Sequence, residues 1–232
     1  MIVKSAMIFA AGFGTRLKPI TDKLPKPLIK VYNKTLLQYA IDALLSLGIE
    51  NIVINAHYKS DQIIKYVNLK CESLPVRVVS ERVLLDTGGG IKNAIKYFNE
   101  DYILTINSDV LWNRKTFSDL DFLIKNFNKK NNFTLLLTEL DKMYGIKKNI
   151  GDFKMINDLV FRNTKINEGY IYSGAQIMEL SKLNIFRKKV FSLNEVWDYY
   201  INKKTISGII MKEKLLHLGN LKSFDYIKDF KP

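Results

Sequence analysis

A single cysteine in 232 residues, Cys71, cannot form an intrachain disulfide or a zinc cluster. That excludes a disulfide-stapled scaffold and fits a reducing compartment, so a cytoplasmic location is expected. No catalytic motif surrounds the thiol, which reads as inert packing. Long apolar runs are missing too, none approaching the roughly 18 residues a membrane helix needs, so no span and no membrane partner are expected. The first apolar run is only about six residues long, too short for a secretory h-region. Acidic residues are in deficit, 23 against 36 basic, for a net charge of +13. Such a balance points to anionic partners. The basic residues are dispersed and mixed with asparagine, as in Lys125–Asn132, rather than massed in a stripe. A lysine-rich solvated surface therefore accounts for the charge better than nucleic-acid binding does, and no nucleic-acid partner is expected.

Internal repeats, low-complexity tracts and linkers are likewise absent. The chain reads as one domain over residues 1–232, long enough for a sizeable core. Hydrophobic residues make up 47% and mean hydropathy is −0.07, ordinary values for a globular protein. In the first half, short apolar strands alternate with helical patterns. Strands are expected at Ala6–Ala10, Ile49–Asn55, Val76–Val79 and Tyr102–Ile106. Helices are expected at Thr35–Leu47, with Gly48 as its stop, at Asp61–Val67 capped by Ser60, and at Ile91–Phe98. This alternation predicts an α/β fold with a parallel sheet covered on both faces. The second half is less regular. It holds a helix near Phe122–Phe127, a strand at Phe133–Leu137 and a hairpin from Phe153–Ile156 to Leu159–Phe161 around Asn157-Asp158. Tyr170–Tyr172 reads as a short strand before Ser173-Gly174. A helix follows at Leu193–Ile201, capped by Ser192 with Glu195. Strands at Ile206–Met211 and Leu215–Leu218 precede a closing helix at Leu221–Phe230. The aromatics of Glu195–Tyr200 recur at helical spacing and read as core.

Three stretches carry chemistry. The first opens on Ala10-Ala11-Gly12-Phe13-Gly14-Thr15-Arg16 directly after a strand. Paired glycines let the backbone turn tightly and bring N–H groups near a phosphate. Arg16 adds a planar cationic fork. Ten residues on, Pro25-Lys26-Pro27 holds a lysine between two fixed φ angles. A dinucleotide fingerprint would need glycine where Leu17 stands, and a P-loop would need Gly-Lys-Ser/Thr where Thr15-Arg16-Leu17 stands. The second is Thr87-Gly88-Gly89-Gly90 at an expected helix start, whose exposed N–H groups suit a base edge or an anion. The third is Asn107-Ser108-Asp109 at the carboxyl end of a buried strand, where open α/β sheets bind ligands and a carboxylate can hold Mg²⁺. A glycosyltransferase D-x-D would need aspartate at Leu111.

The string GFGTRLKPIT…LPKPL closely resembles the signature of the sugar-1-phosphate nucleotidyltransferases, G-x-G-x-R-(M/L)-x-P-x-T followed by P-K-P. The resemblance extends from Ile2 to about Leu221. It implies a single-domain Rossmann-like three-layer sandwich with a mostly parallel central sheet. It also implies an enzyme that joins a sugar 1-phosphate to a nucleoside triphosphate, releasing pyrophosphate. The chain is most similar to the short members, which use UTP with N-acetylmuramate 1-phosphate or GTP with mannose or heptose 1-phosphate; a monomer or homodimer is expected. By this resemblance Ala10, Ala11, Gly12, Gly14, Thr15, Arg16, Gly88, Gly89 and Asn107 bind the nucleotide. Lys26, Asp152 and Gly174 bind the sugar phosphate, and Arg16, Lys26 and Asp109 are catalytic. Asn55-Ala56-His57-Tyr58 matches a family turn, with His57 an ordinary hydrogen-bonded loop histidine. Asp109 matches the family's metal-binding aspartate. One departure stands out: Leu216-His217-Leu218-Gly219-Asn220 falls where the family carries Asp-(I/V)-G-T-P, so His217 replaces the second metal carboxylate. The expected cofactor is Mg²⁺, with Mn²⁺ or Co²⁺ favoured by the imidazole. A weakly active nucleotide-sugar-binding regulator is the alternative that His217 raises.

Overall fold

The computed structural model describes residues 3–146 and 149–230. Nine strands form one sheet, in the order Val76–Ser80, Asn51–Ala56, Ser5–Phe9, Tyr102–Asn107, Tyr170–Glu179, Phe133–Glu139, Ile206–Ile210, Leu159–Arg162 and Phe153–Ile156. All run the same way except Tyr170–Glu179 and Leu159–Arg162, which are reversed. The opening strand is apolar on both faces because both are covered. Its Ala6 and Ile8 join the core under helices Leu36–Ser46, Ser60–Lys70 and Phe117–Lys125. Met7 joins the opposite core, under helices Asp86–Ala94 and Leu193–Asn202. This is the three-layer, mostly parallel architecture expected from the alternation.

Local chemistry sets many boundaries as anticipated. Thr35 Oγ1 accepts the Gln38 N–H at 3.1 Å to start the first long helix, and Gly48 leaves its end with φ +72°. Ser192 and Glu195 form a reciprocal capping box. Asn157 and Asp158, at φ 49° and 64°, make the tight hairpin turn.

The helix expected near Phe122–Phe127 spans Phe117–Lys125, and three further expectations are corrected. Ser60 is the first helical residue rather than the cap; Lys59 precedes it in a left-handed conformation without capping by its side chain. The strand expected at Tyr170–Tyr172 runs on to Glu179, with the register shifting between Tyr172 and Ala175. That bulge breaks the two-residue alternation that would have revealed its length. Finally, the glycine triplet lies inside helix Asp86–Ala94 and does not precede it. A Cβ on Gly88 would sit 2.5 Å from Phe191 Cε2, and one on Gly89 would sit 2.3 Å from the Lys189 carbonyl oxygen. The triplet lets segment 189–191 lie directly on the helix. Gly89→Ala should therefore destabilise by about 1–3 kcal/mol through overpacking, outweighing alanine's better helix propensity. Urea unfolding would check this, and a gain in stability would mean that the segment is free to retreat.

Candidate active site

Strands Ser5–Phe9, Asn51–Ala56 and Tyr102–Asn107 are parallel and in register, with Phe9 opposite both Asn55 and Asn107. Their carboxyl ends coincide, so the three loops that follow open together on a cleft of about 450 Å³. Asn55 is the strut beneath it. Its Oδ1 accepts the Ala10 N–H at 3.1 Å, and its Nδ2 donates to Glu81 Oε1 at 2.8 Å. Glu81 Oε2 accepts the Leu85 N–H at 3.1 Å. This buried relay ties the glycine loop to the segment that starts helix Asp86–Ala94. Gly14 adopts φ +65°, and Thr21 Oγ1 donates to its carbonyl at 3.0 Å. Arg16 is exposed on the cleft wall. His57 is bonded through Nδ1 to the Glu81 carbonyl at 2.9 Å, as expected of a loop histidine.

Lys26, Asp109 and His217 form a charged cluster at this cleft. Pro25, at φ −65° and ψ 144°, delivers Lys26 into a short 3-10 turn, and the lysine is only 9% exposed. Its Nζ donates to Asp109 Oδ2 at 2.7 Å. His217 Nε2 lies 3.1 Å from the same oxygen. The imidazole is brought there by chain pairing: Leu111 N–H donates to the Leu216 carbonyl and Leu218 N–H to the Asp109 carbonyl, at 2.9 and 2.8 Å. Gly219 is needed beside it, since a Cβ would sit 2.3 Å from His217 Cε1. Burial pushes the Asp109 carboxyl up, but Lys26 and then His217 overcome this and hold it well below the usual carboxylate range. Asp109 is therefore ionised at neutral pH. Two enclosed atoms, Asp109 Oδ1 and His217 Nδ1, have no hydrogen-bond partner among the described residues.

A second cleft of about 290 Å³ adjoins the first, sharing Phe9, Thr87 and Asn107 with it. Asp152 lines it, with Oδ2 accepting the Tyr172 N–H at 3.1 Å. Gly174, at φ +96°, allows close approach to Asn107, whose Cβ would lie 3.1 Å from an added methyl group. Trp197 forms one wall; its Nε1 donates to Gln176 Oε1 at 2.9 Å, and the rings of Tyr172 and Phe153 stand 4.8 and 5.6 Å away. Arg162 and Asn194 complete that wall.

Ala10, Ala11, Gly12, Gly14, Thr15, Arg16, Lys26, Asn107 and Asp109 thus meet in the first cleft. Asp152, Gly174 and His217 meet in the second. Gly88 and Gly89 line neither: both are buried, and the Gly89 N–H is spent on the Phe191 carbonyl at 3.0 Å. Asp86 and Thr87, just before the glycines, line the first cleft instead. Asp86, at φ 62°, accepts the Thr87 N–H, and Thr87 Oγ1 accepts the Leu193 N–H at 2.8 Å. Sequence reading also passed over Arg162, Asn194 and the cleft-facing role of Trp197. Trp197 does pack in the core as expected of its helix, but it walls the cleft as well.

The family model described as nucleotidyl transferase matches residues 5–156. The N-acetylmuramate alpha-1-phosphate uridylyltransferase of Caulobacter vibrioides is 27% identical over 223 residues, 94% of this chain and 92% of its own length. The mannose-1-phosphate guanylyltransferase catalytic subunit beta of Xenopus tropicalis is 29% identical over 180 residues, 73% of this chain and 50% of its own. The chain thus spans about half the length of that second relative. The crystal structure of HddC from Yersinia pseudotuberculosis complexed with GMP-PN shares the fold, with a TM-score of 0.78 at 22% identity, covering 99% of this chain and 100% of the other.

Proposed function

We propose that this chain, which belongs to the nucleotidyl transferase family, joins a sugar 1-phosphate to a nucleoside triphosphate across the two adjoining clefts, with the whole chain acting as one catalytic domain. The products are an NDP-sugar and pyrophosphate. The observation that carries this reading is the Lys26–Asp109–His217 cluster, which lies where the clefts meet: Lys26 and Asp109 line the first and His217 the second. A nucleotide in the first cleft and a sugar phosphate in the second would meet over these groups. UTP with N-acetylmuramate 1-phosphate is the leading pair, supported by a relative of that activity aligned over nearly its full length. GTP with mannose or heptose 1-phosphate is the alternative.

In the reaction an oxygen of the sugar phosphate attacks the α-phosphorus and pyrophosphate leaves in line. Such a transfer needs positioning and charge neutralisation more than covalent help. The open glycine loop cradles the triphosphate, Arg16 holds the β- and γ-phosphates, and Lys26 neutralises charge at the α-phosphate and the incoming sugar phosphate. Asp109 suits a divalent cation because its enclosed Oδ1 has no hydrogen-bond partner among the described residues. No group of three or more His, Cys, Asp and Glu side chains able to hold a metal occurs among them. A cation here would be held by Asp109, with His217 beside it, and otherwise by the nucleotide's phosphates and water. When bound, it supplies further charge neutralisation on the phosphate oxygens. Imidazole ligates Mn²⁺ or Co²⁺ better than Mg²⁺. None of the described helices is long and apolar enough to cross a membrane, and the lone buried thiol supports a reducing, cytoplasmic setting.

The test is pyrophosphate release from four nucleoside triphosphates against a panel of sugar 1-phosphates. Turnover with UTP and N-acetylmuramate 1-phosphate is the expected result. Tight nucleotide-sugar binding without turnover in any combination would favour the regulator that His217 raises. Arg16→Lys should lower kcat/KM by about 1–3 kcal/mol in transition-state stabilisation, because a lysine keeps the charge but loses the two-pronged donor. Equal kcat/KM in the two proteins would place Arg16 in solvent rather than on the leaving group.

A further inference from the structure

We infer that Arg162 is the specificity residue of the second cleft, selecting a sugar 1-phosphate that carries a carboxylate over its uncharged counterpart. This rests on the transferase reading above and narrows its sugar class. Arg162 pairs with Phe153 across the hairpin, which sets its guanidinium over the Phe153 ring at 4.7 Å and near the Trp197 ring at 5.9 Å. Helix Leu193–Asn202 fixes one edge of the fork. Nε donates to Asp198 Oδ1 at 2.6 Å, and Nη2 donates to Asn194 Oδ1 at 2.9 Å and to the Asn194 carbonyl at 3.3 Å. Nη1 has no partner among the described residues and keeps two N–H groups to offer.

Arginine in such a frame is oriented before any ligand arrives, so little side-chain freedom is lost on binding. Asp198 orients the fork through Nε and offsets part of its charge, leaving Nη1 as the open donor. Arg162 is also the one lysine or arginine among the described residues lining this cleft. The sugar's phosphate is already assigned to Lys26, which lines the first cleft and not the second. A second anionic group on the sugar is then what a preset cation at this wall can recognise, and a carboxylate matches its planar donors. A neutral hydroxyl gains less from a cationic donor than a carboxylate does.

The experiment uses two sugar 1-phosphates differing by one carboxyethyl ether, N-acetylmuramate 1-phosphate and N-acetylglucosamine 1-phosphate, each with UTP. Wild-type enzyme should prefer the carboxylated sugar. Arg162→Gln should lower kcat/KM for that sugar by about 10- to 100-fold, the size of a lost charge-assisted hydrogen bond, mainly through KM. On the uncarboxylated sugar the same variant should lose at least about tenfold less, so that the preference itself collapses. Arg162→Lys should restore only part of the preference. An equal loss on both sugars, or a wild type without preference, overturns the inference and makes Arg162 a clamp between hairpin and helix. A binding measurement on wild type alone covers a variant that does not fold. There the methyl ester of the carboxylated sugar phosphate should bind at least about tenfold more weakly than the free acid, and equal affinity overturns the inference. Turnover of other sugar 1-phosphates but neither of this pair sinks the role of Arg162 while the transferase reading stands. No pyrophosphate from any combination sinks both.

Discussion

Lys26→Ala should lower kcat by at least roughly 10²-fold, the loss typical when one preorganised charge facing a transition state is removed. Lys26 is only 9% exposed, yet it lines the first cleft with its ammonium 2.7 Å from Asp109. An amine buried this deeply is useful for stability only as the partner of that carboxylate, and such pairs give little net stabilisation over apolar replacements. Its orientation toward the cleft therefore points to chemistry. The flanking Pro25 and Pro27 fix the backbone whichever side chain stands between them, so alanine should leave the turn intact. The KM for nucleotide should change less than kcat, because the charge matters most when the α-phosphorus gains a fifth oxygen. Steady-state kinetics with a circular dichroism control would decide it, and a wild-type kcat would remove Lys26 from the reaction.

What the sequence discloses about this fold depends on whether local and tertiary forces agree. Strands such as Ser5–Phe9 and helices such as Leu36–Ser46 announce themselves, since their apolar periods match the faces they bury. The glycine triplet shows the opposite case. Three consecutive glycines read locally as a loop or a helix start, but their reason lies in another segment, 189–191, that packs onto them. Nothing in the string LDTGGGI says that a distant carbonyl will occupy the space of a missing Cβ. Strand Tyr170–Glu179 hides its length for a related reason, because the bulge at Ser173-Gly174 interrupts its pattern.

The site divides in the same way. Arg16, Lys26 and Asp109 each sit on a short motif or at a strand end and are singled out by adjacent letters, although the Lys26–Asp109 contact itself spans 83 positions. The contact between Asp109 and His217 spans 108 positions. Only the likeness of the C-terminal stretch to a family pattern brought it into view. Arg162, Asn194 and Trp197 had no such help. Each is unremarkable in its own stretch and becomes a wall only when the hairpin folds against helix Leu193–Asn202. Asp86 and Thr87 immediately precede the glycines, and nothing in their own stretch marks them as cleft-facing.

Asp109→Asn should abolish most activity, by at least roughly 10²-fold, because an amide can neither draw a cation to the phosphates nor counter the charge of Lys26. Its effect on stability should be large and pH-dependent. At pH 7 the variant leaves the Lys26 ammonium without its carboxylate. The expected cost is about 2–3 kcal/mol, below the range for a fully enclosed pair, because the Asp109 side chain is 24% exposed. The sign of the pH effect follows from the folded-state shift. The carboxyl titrates well below its ordinary value of 3.8 in the folded chain, with Lys26 and His217 overcoming the effect of burial. A carboxyl of that kind contributes stability that is fully present above its unfolded value and fades as pH falls toward its folded one. Wild type should accordingly lose this contribution from about pH 5 downward, whereas the Asn variant has none to lose. Urea unfolding of both proteins between pH 7 and about pH 3 should show curves that converge on the acid side. A gap that stays constant with pH would mean that Asp109 gains nothing from Lys26 and His217 in the folded chain. The cluster would then be an accident of packing, and the transferase mechanism would lose its anchor.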